Sequence, residues 1–346
     1  MEVHETSRLS VEAAPAFLDE AWHVSEFGEE WFESIERLGA GVLHDPLCRA
    51  GPRLDATDEL LATVRMVLTR RGFLVGAGAV TVTGAVSVAV VGPTRVLHRL
   101  GLRSSPDHAV PASGWPVKER TLASAAMKGD VRWAYAEPPV PPTGVIVCLH
   151  GRGGDRRFAF DSIHLHDVVA NAGASLAVVA VDGGASSYWH PRADGTDALS
   201  MVLDELLPEI DAVLPANLPR VILGWSMGGY GALLMSERAP DKFHAVIAAS
   251  PALWLQAGES ASGAFDNAED FAKYDVFADV KNLAGLAVRV DCGDGDGFAH
   301  AARVLASELP HPNLGGFGLG YHDDSYWRSI APAQIATVVA ALKASS

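Results

Sequence analysis

From about residue 118 onward the chain alternates short apolar runs with polar, glycine-punctuated stretches. The runs 131–136, 144–149, 176–181, 220–224, 245–249 and 287–291 are rich in Val, Ile, Leu and Ala. They are too short for helices and almost uninterrupted by polar residues, which predicts strands buried on both faces. Between them, residues 197–214, 229–238 and 300–309 carry helical patterns. Strand and helix in alternation predict an α/β fold whose mainly parallel sheet is covered by helices on both faces.

The region before residue 118 is patterned differently. Residues 1–65 are acidic, and within 17–38 Trp22, Phe27, Trp31 and Phe32 are interleaved with glutamates at a loose helical period. An amphipathic helix is expected there, with no chemical motif. Thr69-Arg70-Arg71-Gly72-Phe73-Leu74-Val75 then opens an uncharged run that ends at Pro93. Paired arginines before a mildly apolar Gly/Ala/Val stretch resemble a twin-arginine export signal. Ser87-Val88-Ala89 offers small residues for cleavage, and the run is also long enough for a membrane anchor. Met66 lies just ahead of the arginines and is a candidate start of translation. Residues 94–117, with Pro106, Pro111 and Pro116, read as a linker. The expected organisation is an N-terminal extension (1–65), a signal or anchor (66–93), a linker (94–117) and an α/β domain (118–346).

Composition narrows the classes. Hydrophobic residues make up 49% of the chain and charged residues 20%, which supports a large core. A formal net charge of −15 without a basic stripe argues against nucleic acid as a partner. The three cysteines, Cys48, Cys148 and Cys292, are too few for a disulfide framework, and the last two sit in strand-like runs as expected of buried thiols. No Cys/His spacing indicates a zinc site, so no metal is expected.

The strongest motif is Gly224-Trp225-Ser226-Met227-Gly228-Gly229, which follows the strand 220–224 and leads into the helix 229–238. Strand, G-x-S-x-G and helix together are the context of a nucleophile elbow. Such a turn holds the Ser226 hydroxyl above the sheet, beside a helix N-terminus able to stabilise an oxyanion. Serine needs a base, and on this fold the expected chain order is Ser, then acid, then His. His322 lies in a loop after the last strand-like run and is the expected base, whereas His244, His300 and His311 read as structural or solvated. For the acid, Asp291, Asp294 and Asp296 compete, the last two in a glycine-rich turn, and Asp296 is favoured. His150-Gly151-Arg152-Gly153-Gly154 follows the strand 144–149 as a second loop at the site. The backbone N–H groups of Met227 and Arg152 are the expected oxyanion donors.

On these motifs, residues 118–343 resemble the esterase D and antigen 85 (mycolyltransferase-like) branch of the α/β-hydrolases. Ser250-Pro251-Ala252-Leu253-Trp254, Gly320-Tyr321-His322 and Tyr326-Trp327 add to the likeness. The resemblance implies an eight-stranded, mostly parallel sheet, an acid at Asp296, a base at His322 and no cofactor. It implies an acyl ester, or an acylated lipid or sugar, as substrate. His150 stands where the antigen 85 acyltransferases carry Asp, which favours hydrolysis over dedicated transfer. The reading is therefore an exported serine carboxylesterase, with the export machinery as partner and membrane association through 72–93. An acyltransferase, and a non-catalytic envelope-binding protein on the same fold, are the competing readings. Residues 253–285 are expected to overlie the site. There Trp254, Phe265, Phe271 and Tyr274 either line a pocket or pack together.

Overall fold

The computed structural model describes residues 104–344 together with His98. The readings placed on 1–65 and 66–93 lie outside the described residues. Eight strands form one sheet: β1 (Lys118–Ser124), β2 (Gly129–Ala136), β3 (Gly144–Leu149), β4 (Leu176–Val181), β5 (Arg220–Trp225), β6 (Ala245–Ala249), β7 (Ala287–Gly293) and β8 (Phe317–Gly318). Their spatial order is β1-β2-β4-β3-β5-β6-β7-β8. β1 and β2 form an antiparallel hairpin, and β2 also pairs antiparallel with β4. Every other neighbouring pair is parallel. This is the α/β-hydrolase fold.

Each central strand sends alternate side chains into two separate cores. Val145, Val147 and Leu149 of β3 join one core, and Ile146 and Cys148 join the other. That is why β3, β4 and β6 are buried along their whole length and read as continuous apolar runs. The helices are α1 (Phe158–Asp161), α2 (Leu165–Asn171), α3 (Ala198–Ser200), α4 (Leu207–Val213), α5 (Met227–Arg238), α6 (Ala268–Lys273), α7 (Ala299–Glu308) and α8 (Asp324–Ala344). Residues of α3, α4, α5 and α7 fill the first core, and those of α1, α2 and α8 the second. Between α3 and α4 the chain winds as a wide π-helical stretch, Met201–Leu206, which ends just before Pro208. Proline lacks the N–H that a regular turn would use, and a wide turn accommodates the loss.

The sequence pattern located six of the eight strands to within two residues of their bounds. It passed over β1, β8 and the long helix α8. The stretch 104–117 has no helix or strand but is fastened to the domain. The Ser113 N–H and hydroxyl both donate to the Asp167 carboxylate, and the Asn171 amide donates to the Pro111 carbonyl. Cys148 and Cys292 are buried free thiols. Among the described residues no helix is long and apolar enough to cross a membrane.

One buried group makes folding sensitive to pH. Glu237, in the last turn of α5, is 2% exposed, and neither carboxyl oxygen has a hydrogen-bond partner among the described residues. Burial, aided by the nearby charges of Asp279 and Asp275 and opposed by Arg238, pushes its pKa up to about 9. Between the usual carboxylate value and pH 9 the unfolded chain has released this proton while the folded chain keeps it. Stability is therefore lost as pH rises through that window. Glu237→Gln should stabilise the protein at pH 8 relative to the parent, with little difference at pH 4.5, in urea unfolding midpoints. A parent whose stability is level from pH 5 to 9 would contradict the assignment.

Candidate active site

The sheet delivers the chemistry at the carboxyl ends of its parallel strands. β5 ends at Trp225, and the chain turns through Ser226 straight into α5. Ser226 has φ 53° and ψ −117°, a strained backbone for a side chain with a Cβ. Close packing enforces it. A Cβ on Gly224 would lie 2.0 Å from the Gly228 carbonyl oxygen, and one on Gly228 would lie 1.9 Å from that of Leu149. Only glycine at both positions lets α5 sit this tightly on β3 and β5. The Ser226 N–H donates to Ala249 O, and its carbonyl accepts from the N–H groups of Tyr230 and Ala252. The turn is thus held from β6 as well.

His322 lies in the loop between β8 and α8. Its Nδ1 is 2.8 Å from Asp296 Oδ2, and its Nε2 is 2.9 Å from the Ser226 hydroxyl. The other Asp296 oxygen accepts from the Phe298 N–H at 2.9 Å. Burial alone would raise the Asp296 carboxyl. The charge and hydrogen bond of His322, with the Phe298 N–H and the Ser250 hydroxyl, outweigh it and hold Asp296 below the usual carboxylate value. Burial alone would likewise lower His322, but the Asp296 carboxylate outweighs it by charge and hydrogen bond. Asp323 and Asp324 add to this, and the imidazole stands above its ordinary value. Trp327 meets the His322 ring edge-on at 5.1 Å, and Phe298 packs beside it at 5.3 Å.

The other two aspartates are placed elsewhere. Asp291 is buried in a two-pronged ion pair with Arg289 and accepts from the Gly316 N–H and the Gln334 amide. Asp294 is exposed. The acid and base loops are laced together by their backbones. Asp294 N–H donates to Gly318 O and Gly295 N–H to Gly320 O, and a Cβ on Gly293 would strike the Gly320 carbonyl at 2.3 Å. His300 and His311 are exposed, and His244 is half-buried at the start of β6.

The His150 loop passes directly over Ser226. A Cβ on Gly151 would sit 3.4 Å from Ser226 Cβ. His150 is buried, and its Nε2 accepts the Gly183 N–H at 3.0 Å, so Nδ1 carries the ring proton and donates to Gly151 O at 2.7 Å. Burial lowers its pKa and keeps it neutral. The Gly154 N–H also donates to Gly151 O. These two bonds fix the plane of the following peptide. No peptide bond here is cis, so the Arg152 N–H points away from the His150 ring. That N–H donates to no acceptor among the described residues. Met227 opens α5, where a first-turn N–H has no intrahelical acceptor.

Reading the sequence assigned no role to Ser250, which follows β6 with φ 46° and is fully buried. Its hydroxyl accepts from the Trp327 indole and also holds the Asp296 carboxylate. The signal was the Ser-Pro pair at a strand end. The aromatic residues of 253–285 pack against one another. Phe265 contacts Tyr188, Tyr230, Trp254 and Phe271, leaving between them room for about one water. Trp254 reaches Phe298 at 5.5 Å and so joins the apolar wall beside His322. Among the described residues no group of His, Cys, Asp and Glu is arranged to hold a metal ion.

The chain and its fold are similar to those of known proteins. The chain is 28% identical over 204 residues to a monoacylglycerol lipase of Mycolicibacterium smegmatis, a match covering 56% of this chain and 65% of that protein. It thus spans just under two thirds of that relative's length. Its fold matches a ferulic acid esterase at a TM-score of 0.58 and 21% identity, over 65% of this chain and 97% of the other. It also matches an S-formylglutathione hydrolase from Agrobacterium tumefaciens at a TM-score of 0.57 and 17% identity, over 67% and 96% of the two chains. The model of the "Putative esterase" family matches residues 124–328, from the end of β1 into α8 and including Ser226, Asp296 and His322, and the chain belongs to that family.

Proposed function

We propose that the protein is a serine carboxylesterase acting through a covalent acyl-enzyme. The observation that carries this is the single imidazole of His322, hydrogen-bonded at one nitrogen to Asp296 and at the other to Ser226. Ser226 Oγ attacks the ester carbonyl as its proton passes to His322 Nε2. Asp296 holds the Nδ1 proton and stabilises the imidazolium. The oxyanion is received by the backbone N–H groups of Met227 and Arg152, each donor being worth roughly 10²–10³ in rate. The alcohol leaves with the proton from His322. Water, activated by the same base, then releases the acid. Trp254 and Phe298 offer an apolar wall to the substrate, in keeping with an acyl ester or acylated lipid. The competing reading as an acyltransferase needs a polar group to seat the acceptor. The His150 ring does not supply one, because both its nitrogens are engaged with backbone. A binding module would not need His322 poised between Asp296 and Ser226.

Ser226→Ala should lower kcat/KM on p-nitrophenyl esters by several orders of magnitude and abolish labelling by a fluorophosphonate probe, with an unchanged unfolding midpoint. Activity within a few-fold of the parent would sink the nucleophile assignment.

The pH profile gives a second test. His322 can accept the Ser226 proton only when neutral, so kcat/KM should rise with pH through its titration. The limb should lie above the ordinary imidazole value of about 6.5, because Asp296 raises it. Asp296→Asn should cut kcat by about 10⁴. It should also move the limb to lower pH. A limb that Asp296→Asn leaves in place would contradict the assignment.

We place the enzyme beyond the cytoplasmic membrane, on the strength of Arg70 and Arg71 and the uncharged run behind them. Replacing both arginines by lysine keeps the charge but removes the guanidinium geometry. Cell fractionation should then find the enzyme retained in the cytosol. Equal export of the double variant would refute this.

A further inference from the structure

The family model begins at residue 124, yet the segment before β1 reaches the catalytic base. Ser105 is 7% exposed. Its hydroxyl accepts the Tyr321 N–H at 3.0 Å and donates to Asp323 Oδ2 at 2.8 Å. Those are the two residues flanking His322. One hydroxyl therefore bridges the backbone of the residue before His322 and the side chain of the residue after it. The same Asp323 carboxylate caps α8 by accepting the Tyr326 N–H at 2.9 Å, so the clamp is anchored to the longest helix. Two further contacts repeat the pattern. His98 stacks on the Tyr321 ring at 3.7 Å with Nε2 3.3 Å from Asp323. Asp107 takes both prongs of Arg328 in the first turns of α8, at 2.8 and 3.0 Å.

These bonds bear on catalysis because His322 sits on a loop with no strand or helix of its own. β8 ends at Gly318 and α8 begins at Asp324. The Asp296 bond fixes the ring, but the ring's distance to Ser226 also depends on where Tyr321 and Asp323 hold the backbone. We propose that residues 104–117, together with His98, form a strap that sets the position of the base, with Ser105 as a positioning residue for His322. This rests on the reading of His322 as the base. Ser105 touches neither substrate nor reacting atoms. It acts by keeping Nε2 within hydrogen-bond reach of the nucleophile. The chain that carries the N-terminal region into the domain is thereby part of the active-site framework, and a cut or pull on the strap would reach the base directly.

The test compares the full-length parent with Ser105→Ala and Ser105→Thr, the latter keeping the hydroxyl. Three quantities are read: kcat and KM on p-nitrophenyl acetate, the rate of fluorophosphonate labelling of Ser226, and the downfield proton resonance of the His322–Asp296 hydrogen bond. Displacing His322 by up to about 1 Å costs on the order of 10- to 100-fold in rate. Ser105→Ala should lose that much in kcat and in labelling, with KM within about two-fold. Its His322 resonance should be broadened or lost, and Ser105→Thr should recover most of the rate. Should the alanine variant not fold, Ser105→Cys keeps the volume with a weaker hydrogen bond, and the same losses are expected. Unchanged kcat and an unchanged resonance in a variant that is merely less heat-stable would overturn the proposal. The resonance needs no turnover. A parent that shows it but resists the probe would therefore count against the esterase reading while the strap is still decided by the Ser105 comparison.

Discussion

The approach of α5 to the sheet is the contact on which the site depends. Gly224 and Gly228 bring the helix so close to β3 and β5 that no side chain fits between them. The chain can then pass from strand to helix in one residue, and that residue must take a strained conformation. Ser226 is pushed out of the turn with the first N–H groups of α5 at its back. The strain is supported by hydrogen bonds from β6 and its following loop. Loosening this contact would lose the exposed hydroxyl and the orientation of the Met227 N–H together.

His322 is arranged on a different principle. No tight turn holds His322. Separate partners converge on it instead: Asp296 on the ring, Trp327 and Phe298 on its sides, and Ser105 on the Tyr321 backbone and the Asp323 side chain at its flanks. Ser250 ties two of these together, since its hydroxyl meets both the Trp327 indole and the Asp296 carboxylate. Asp296 stays ionised although it is buried because His322 and two further donors hydrogen-bond to it. A carboxyl of similar burial without partners, Glu237, is driven the other way and keeps its proton.

How much of this was legible in the sequence depends on how local each feature is. The six inner strands were readable because burial on both faces demands uninterrupted apolar residues. β1 was not, because most of its residues are exposed, and β8 is only two residues long. The helix α8 hides behind Pro332, yet Trp327, Ala331, Ile335, Val338 and Leu342 recur at helical spacing and are buried. The elbow carries its own signature, since close packing and a positive φ write glycines at fixed offsets. Sequence favoured Asp296 among three close aspartates, and the fold shows how they part: Asp291, still in β7, turns to Arg289, while in the following turn Asp294 faces solvent and Asp296 meets His322. Ser105 acts across 218 residues of chain to Asp323, and nothing in its neighbourhood marks it. Its segment reads as a linker because prolines and serines look alike in a tether and in a packed strap.

The placement of the parts follows from the parallel sheet. The ends of β3, β5, β7 and β8 lie on one edge, so the loops bearing His150, Ser226, Asp296 and His322 meet there although they are up to 172 residues apart in sequence. Each group comes from a different strand, and the register of the inner strands fixes their mutual distances more firmly than any single loop could. β8 is the exception. Its two-residue pairing with β7 is too short to hold the register of the loop that follows. The deficit is met by backbone bonds from the acid loop on one side and by the strap on the other. The weakest strand of the sheet thus leads into the loop of His322, and the packing around that loop compensates for what the pairing lacks.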